Sequence, residues 1–359
     1  MKIGILTFHC ANNYGAVLQC YALYKFLEEL GHNVYIIDYR PKYLTEPYKV
    51  FSFYWFKSPI YPKIILKKIL HCTDSFYRNK FFNNFINRLK ISDLDLNSPN
   101  NDFDAFIFGS DQIWNTKLCK GIDNTFFANK PAFRNKINIA YAASVGNCKI
   151  ADSDYNEIQY LLNRNFTKIS TREKSLTQKL AKIGISSLTV LDPTLLAGKK
   201  IFDNIAQKPK EDKYILIYQV HYDKRSLQIA QYISKKEGIP IIEISSNAFG
   251  EGRKRISPEQ FIGYFKYAQY IITTSFHGTI FSIIYNRTFY TLSINPILDS
   301  RSQSILNILG LSNHLINNIS QIDLLPIDYT IINDKLEKEQ SLSKHFLINA
   351  LENYNHVSK

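Results

Sequence analysis

The sequence predicts an α/β chain built as two successive halves, each a parallel sheet flanked by helices. Three observations predict it. Short apolar runs of strand length (KIGILTF, NVYIIDY, DAFIF, YILIYQV, YIITT) alternate with amphipathic stretches of helix length, the order that gives parallel strands joined by right-handed crossovers. The alternation runs twice, once on each side of a polar, charged stretch at 197–213 (AGKKIFDNIAQKPKEDK). The chain has 359 residues, 45% apolar and 14% aromatic, enough to build two ordinary cores and unlike a disordered composition.

In the first half, Lys2–Phe8 reads as a buried strand and His9–Gly15 (HCANNYG) as a turn-rich loop. Ala16–Leu30 reads as an amphipathic helix, with Val17, Cys20, Tyr24, Leu27 and Leu30 near one face and Gly31 as its stop. Asn33–Tyr39 is the next strand and completes a strand–helix–strand unit. Residues 41–100 form a basic, aromatic insertion with helical stretches near 60–70 and 75–90. Asp104–Phe108, which ends in GSDQIWN, and Ile137–Ser144 read as further strands. Lys168–Ser170 and Leu188–Leu191 follow, the latter running into Asp192-Pro193. The polar stretch marks a boundary, giving a first domain over 1–200.

The second domain, 210–325, repeats the pattern. Tyr214–Val220 is a strand, Lys224–Lys236 a helix and Pro240–Ser245 a strand. Ser257-Pro258-Glu259-Gln260 is a helix start, with serine as N-cap, proline at the first helical position and glutamine two residues later. That helix runs to Ala268. Tyr270–Thr274 is a strand, followed by the Phe276-His277-Gly278 turn, a helix to Asn286, the strand Phe289–Ser293 and a helix over about Ser302–Leu309. Residues 326–359 end in a long helix, Asp334–Tyr354, with Leu336, Phe346, Leu347, Ala350, Leu351 and Tyr354 as its buried side.

Composition narrows the function. The five cysteines are scattered and form no C-x-x-C pair, so free thiols are expected rather than zinc ligands or disulfides. No apolar run approaches the ~20 residues that span a bilayer, and a secretory signal is not evident, so a cytoplasmic location is expected. The formal charge of +13 favours an anionic partner. Between Pro41 and Lys90 ten Lys/Arg face two acids, Glu46 and Asp74, among many aromatics. That pattern suits a lipid surface or phosphorylated lipid. No nucleic-acid motif accompanies it, so nucleic acid is not expected. No paired-carboxylate, G-x-S-x-G, Walker or H-E-x-x-H pattern occurs, so covalent hydrolase chemistry and a dedicated metal site lack support.

His277 is the leading chemical candidate. It stands where a buried strand ends and a helix begins, the edge at which open α/β sheets bind ligands and where a helix terminus favours an anion. Ser275, Gly278 and Thr279 beside it offer a hydroxyl, close backbone approach and helix N–H groups. A histidine there can relay a proton or, as a cation, hold an oxyanion. Gly109, Ser110, Asp111, Gln112 and Trp114 form a second polar turn after a buried strand. The plainer reading is a helix cap at Ser110 or Asp111 with Trp114 in the core. Asn12, Asn13, Tyr14, Gly15 and Gln19 occupy the place where dinucleotide folds hold a pyrophosphate. They do not read G-x-G-x-x-G, so NAD is disfavoured, and Asp38 reads as a cap. Arg172, between a strand and a helix, suits a bidentate grip on carboxylate or phosphate, and Arg301 is a second such clamp.

Taken together, GILTFHCANNYGAVLQCYAL at the start, FGSDQIWN at 108–115, ISTREKS at 169–175, VLDPTLL at 190–196 and TTSFHGTIFSIIYNRTFY at 273–290 resemble the polysaccharide pyruvyl transferase family, over residues 2 to about 310. The resemblance implies a GT-B-like fold, two Rossmann-like domains facing across a cleft, with the terminal helix returning to the first. It implies transfer of pyruvyl from phosphoenolpyruvate, as co-substrate and with no further cofactor, onto a sugar hydroxyl, making a ketal and phosphate. Arg172, Ser275, Gly278, Thr279 and Arg301 would then hold the donor and His277 manage protons. Asn12, Asn13, Tyr14, Gly15, Gln19, Gly109, Ser110, Asp111, Gln112 and Trp114 would line the acceptor side. The implied acceptor is a sugar of a surface polysaccharide, or its undecaprenyl-diphosphate-linked precursor at the inner face of the membrane. Where some members carry Arg-Leu-His, this chain carries Ser275-Phe276-His277. The alternatives are a nucleotide-sugar glycosyltransferase of the same fold and a non-catalytic sugar- or partner-binding protein.

Overall fold

The structure, a computed structural model, describes residues 1–49, 72–146, 148, 150–244 and 256–352. It divides into two compact units. One comprises 1–169 with 180–186, and the other 170–179 with 187–359. Nearly all the first strands are apolar on both faces, as expected of parallel strands covered by helices on each side.

In the first unit β1 (Lys2–Leu6), α1 (Tyr14–Glu29), β2 (Asn33–Ile37), α2 (Cys72–Ile86), β3 (Ile91–Ser92), β4 (Ala105–Phe108), β5 (Ile137–Ala143) and α3 (Tyr155–Asn165) follow in order. The strands pair in parallel in the order β3-β2-β1-β4-β5, continued by β6 (Lys168–Thr171) and β7 (Leu188–Thr189). The order reverses between β1 and β4, a doubly wound arrangement with its switch point there. Phe106 packs edge-on against Phe133 at 4.9 Å, and Phe108 against Phe133 at 5.0 Å, so aromatic contacts seal one face.

After α4 (Lys174–Lys182), the second unit continues with α5 (Pro193–Asp203), β8 (Ile215–Tyr218), α6 (Lys224–Glu237), β9 (Ile241–Glu243), α7 (Pro258–Tyr267), β10 (Tyr270–Thr273), α8 (Phe276–Ile284), β11 (Thr288–Leu292), α9 (Pro296–Leu309), β12 (Leu315–Ile316) and α10 (Thr330–Glu352). Its sheet, β12-β11-β10-β8-β9, is parallel and switches between β8 and β10. One face packs Ile229, Ala230 and Ile233 of α6 onto Ile215, Ile217, Ile272 and Leu292. On the other, Phe281 of α8 meets Phe202 at 5.0 Å and Phe261 at 5.7 Å.

The chain crosses between the units at 169/170, 179/180 and 186/187, and the polar 197–213 stretch lies within the second unit. The reason is packing: α5 carries Phe202 into the second core, so a charged surface on that helix does not mark a linker. The terminal helix packs against α5 and α9. Ser343 of α10 accepts from the Leu191 N–H at 2.9 Å, and Gln340 donates to the Leu195 carbonyl at 2.7 Å. The Ser257 capping box forms as its spacing requires. The helix expected near 60–70 lies outside the described residues. No helix among the described residues is long and apolar enough to cross a membrane.

Candidate functional site

The second unit's site grows from the end of β10. Thr273 closes the strand, Ser275 stays extended, and its hydroxyl accepts from the Gly278 N–H at 3.3 Å. Ser275 is therefore the N-cap of α8, and the helix starts at Phe276, two residues earlier than the sequence suggested. His277 thus lies in the first turn of α8, with 9% of its surface exposed. Gly278 is needed for packing. A Cβ there would stand 2.1 Å from Thr273 Oγ1, so only glycine lets α8 begin so close above the strand end. Thr279 is fully buried, bonded to Thr291 at 2.7 Å and to the Ser275 carbonyl at 3.2 Å. The Thr279 N–H also goes to the Ser275 carbonyl. Ser275, Gly278 and Thr279, expected to hold a ligand, are instead committed to capping and packing.

Asp192 organises the charges, and the sequence reading gave it no role. Its Oδ1 accepts from the Thr194 N–H (3.0 Å) and hydroxyl (2.6 Å), capping α5 with Pro193 at the first helical position. Its Oδ2 accepts from Arg172 Nη1 at 2.9 Å and lies 3.8 Å from His277 Nε2. Burial pushes the Asp192 carboxyl up. The charges of His277 and Arg172 and the bonds from Thr194 outweigh it, so the carboxyl ends below the usual carboxylate range. Arg172 is itself buried, which requires such a partner. Glu173 stands 3.9 Å from its Nε.

Phe276 gathers two cations. The guanidinium of Arg172 sits 5.0 Å and that of Arg301 5.2 Å from its ring centroid, both within cation–π range. The His277 ring packs edge-on to the same phenyl at 5.2 Å. Arg301 reaches the site because α9 begins at Pro296, capped by Asn295, rather than near Ser302. Arg172, Asp192, Phe276, Arg301, Ile305 and Glu339 line one cavity of about 30 Å³, room for a water-sized group. The lining sets two guanidiniums against the carboxylates of Asp192 and Glu339, with the His277 imidazole 3.8 Å from Asp192, groups that can hold an anion and move a proton beside it. Phe276 was missed because an apolar residue in a first helical turn looks like core.

In the first unit the polar residues at the carboxyl edge of the sheet mostly bond to one another. Asn13 caps α1, accepting from the Ala16 N–H at 3.3 Å. The Asn12 carbonyl accepts from Arg78 Nη2 at 2.7 Å, and its side chain donates to Asn79. Tyr14 and Gly15 are buried in the first turn, Tyr14 against Phe82 at 5.0 Å. Gln19, fully buried, donates to Thr7 Oγ1 at 2.8 Å and accepts from the Ser110 hydroxyl at 2.7 Å, tying α1 to the loop after β4. Gly109 has φ 125°, and a Cβ there would strike the Tyr141 carbonyl. Trp114 is core, stacked on Phe127 and donating to the Phe126 carbonyl at 3.1 Å. Asn115, not Ser110 or Asp111, caps the following one-turn helix. Asp111 accepts from the Gln112 N–H at 2.8 Å, and Gln112 accepts from Asn115 at 2.9 Å. Tyr14, Gly15, Gln19, Gly109, Ser110 and Trp114 are thus structural rather than surface-lining. Asn13 and Gln112 remain part-exposed.

Asp38, read as a cap, instead receives His9 Nε2 at 2.9 Å and Arg40 Nε at 2.6 Å. The bond from His9 is the largest influence on its carboxyl. Burial opposes it, Arg40 adds to it, and the result lies below the usual range.

Comparison with known proteins adds the family. The sequence pattern of the polysaccharide pyruvyl transferase family matches residues 13–296. No curated protein matches the chain. Among solved structures it is similar to a Listeria monocytogenes protein assigned as a UDP-N-acetylglucosamine 2-epimerase. The identity is 12%, the match covers 99% of this chain and 97% of that one, and the TM-score is 0.56, which shows a shared fold. A UDP-bound Staphylococcus aureus protein, MnaA, aligns at 11% identity over 99% and 97% of the two chains, with a TM-score of 0.47. A spinosyn rhamnosyltransferase aligns at 9% identity over 98% and 100%, with a TM-score of 0.43. With two parallel α/β units of Rossmann type and a family match over most of its length, the chain belongs to the polysaccharide pyruvyl transferase family.

Proposed function

We propose that the protein transfers pyruvyl from phosphoenolpyruvate to a sugar, with the donor held in the second unit by Arg172, Arg301 and His277. One observation carries the reading. Two guanidiniums share one phenyl ring beside a histidine and a carboxylate that orders them. The donor has a carboxylate and a phosphate, and two arginines match two anionic groups. Ser275, at the place where the resemblance implies an arginine in some members, is spent as a cap. Arg301 supplies the second guanidinium from α9 instead. Seating a donor requires the small cavity to widen.

The chemistry balances with these groups. A sugar hydroxyl oxygen bonds to C2 of the enol as His277, starting as the imidazolium, gives its proton to C3 to make the methyl and takes the hydroxyl proton, so the ring ends the step as it began. A second hydroxyl of the same sugar then bonds to C2 as the bond to the phosphate oxygen breaks. Its proton leaves with the phosphate, and the ketal is closed. General acid–base help of this kind is worth ~10²–10⁴ in rate. Asp192 does not touch the reacting atoms. It positions Arg172 and favours the imidazolium. The acceptor is a sugar of a surface polysaccharide or its undecaprenyl-diphosphate-linked precursor, met at the inner face of the membrane.

The test is release of inorganic phosphate from phosphoenolpyruvate with an oligosaccharide acceptor, and detection of a pyruvate ketal on the product. His277→Ala should abolish both. Turnover that instead requires a nucleotide sugar would place the chain with glycosyltransferases of the same fold.

A further inference from the structure

The terminal helix α10 lies beyond residues 13–296, which carry the family pattern, and no chemical step above uses it. Three of its side chains nevertheless meet the donor site. Glu339 lines the cavity that holds Arg172, Asp192 and Arg301. Gln340 donates to the Leu195 carbonyl at 2.7 Å. Ser343, 1% exposed, accepts from the Leu191 N–H at 2.9 Å. The last two bonds bracket Asp192, one just before it in the chain and one at the first turn of α5 after it.

The segment around Asp192 has little else to hold it. β7 is only two residues long, and its register with β6 ends at Thr171 opposite Thr189. One more bond follows, from the Val190 N–H to the Thr171 carbonyl at 2.9 Å. That ladder sets the backbone beside Arg172 and stops short of Asp192. On the other side, α5 breaks at Gly198, where φ is 69° and ψ −168°. A break leaves the carbonyls of the turn before it without intrahelical donors, and Gln340 supplies one to Leu195. A serine inside a helix ordinarily turns its hydroxyl back to a carbonyl of the preceding turn. Ser343 instead serves a backbone N–H 152 positions away. The geometry it guards is tight: Asp192 Oδ2 lies 2.9 Å from Arg172 Nη1 and 3.8 Å from His277 Nε2. Sites of this kind tolerate displacements of only ~0.5 Å.

We infer that Ser343 and Gln340 are positioning residues of the donor site: by holding the Leu191 N–H and the Leu195 carbonyl they fix Asp192, and through it Arg172 and His277. This role rests on the donor reading above. Full-length S343A and Q340L are compared with L347V, a packing change at a fully buried position one turn further along α10. Phosphate release from phosphoenolpyruvate gives KM and kcat, and thermal melts give stability. Hydrogen–deuterium exchange over residues 170–176, to which neither side chain is bonded, reads the site without substrate. S343A and Q340L should each raise KM about fivefold or more, with kcat within about threefold. Both should speed exchange over 170–176. L347V should lower the melting temperature while leaving KM and that exchange unchanged. A KM that neither variant moves, or that L347V raises equally, would overturn the positioning role and leave the donor reading intact. If the wild type releases no phosphate from phosphoenolpyruvate, the donor reading fails and exchange decides. Faster exchange over 170–176 in S343A and Q340L alone then supports the positioning of Arg172, and equal exchange in all three variants overturns it.

Discussion

His9 follows β1 of the first sheet and His277 follows β10 of the second, each near an aspartate, and the two pairs are built differently. In the first, His9 is 1% exposed, its Nε2 bonds Asp38 at 2.9 Å and its Nδ1 faces the Thr7 carbonyl at 3.3 Å. Both ring nitrogens are spent on protein oxygens, so the ring has no position from which to take a proton from a substrate. In the second, His277 stands 3.8 Å from Asp192, too far for a direct hydrogen bond, on the first turn of a helix and beside two arginines gathered on Phe276. The same residue types thus stand at hydrogen-bonding distance in one unit and apart in the other. The difference lies in distance and in the cations nearby.

The sharpest break of that comparison is a pair of alanine variants. His277→Ala is expected to lower turnover ~10²–10⁴-fold, with the melting temperature nearly unchanged. His9→Ala is expected to cost ~1–3 kcal/mol of stability through unmade buried hydrogen bonds, with turnover kept within about tenfold. Steady-state kinetics alongside thermal melts read both. The opposite pattern, an inactive but stable His9 variant and an active His277 variant, would invert the roles.

Asp192 comes next. Asp192→Ala leaves Arg172 buried without its carboxylate, a loss of ~3–5 kcal/mol. The gentler Asp192→Asn tests the charge alone. The folded carboxyl lies below its unfolded value. Its stabilisation is therefore present above the unfolded value and lost as pH falls through the folded one, because the unfolded chain binds the extra proton first. Wild-type stability should rise with pH across the acid range, and Asp192→Asn should flatten that rise. Parallel slopes in denaturant titrations at several acid pH values would contradict the pairing. On the proposed function, the same variant should raise the KM for phosphoenolpyruvate and shift the acid limb of the kcat profile, which a purely structural role would leave alone.

Arg301→Ala gives the smallest effect: a rise of about tenfold in KM for phosphoenolpyruvate, ~1.4 kcal/mol, with kcat and fold preserved. An unchanged KM would remove Arg301 from the donor site and leave the serine at 275 without a substitute.

The parallel α/β architecture was legible because the buried positions of β1, β4 and β8 carry no polar side chain but tyrosine and β10 departs from this only at its last residue, Thr273, a pattern expected of strands covered on both faces. His277 and Arg172 stand out in the sequence because each follows such a run with a group the core does not need. Asp192 does not. Asp before Pro reads as a helix cap, and it is one. Its second oxygen is used by residues 20 and 85 positions away, a closure that only the tertiary fold creates. Gly278 misled for a related reason. A glycine at a helix start suggests backbone exposed to a ligand, while here its missing Cβ makes room for the Thr273 hydroxyl. Polar composition misled at 197–213, where charges on one face of α5 hid Phe202 on the other.

The most direct test of the donor site is the thermal melt of the wild-type chain and of Arg301→Ala and His277→Ala against phosphoenolpyruvate and a panel of nucleotide sugars. A ligand held at ~100 times its dissociation constant adds about 2.7 kcal/mol. The account predicts stabilisation of the wild type by phosphoenolpyruvate alone, reduced in both variants. Stabilisation by a nucleotide sugar and not by phosphoenolpyruvate, or a phosphoenolpyruvate effect that both variants retain in full, would contradict it.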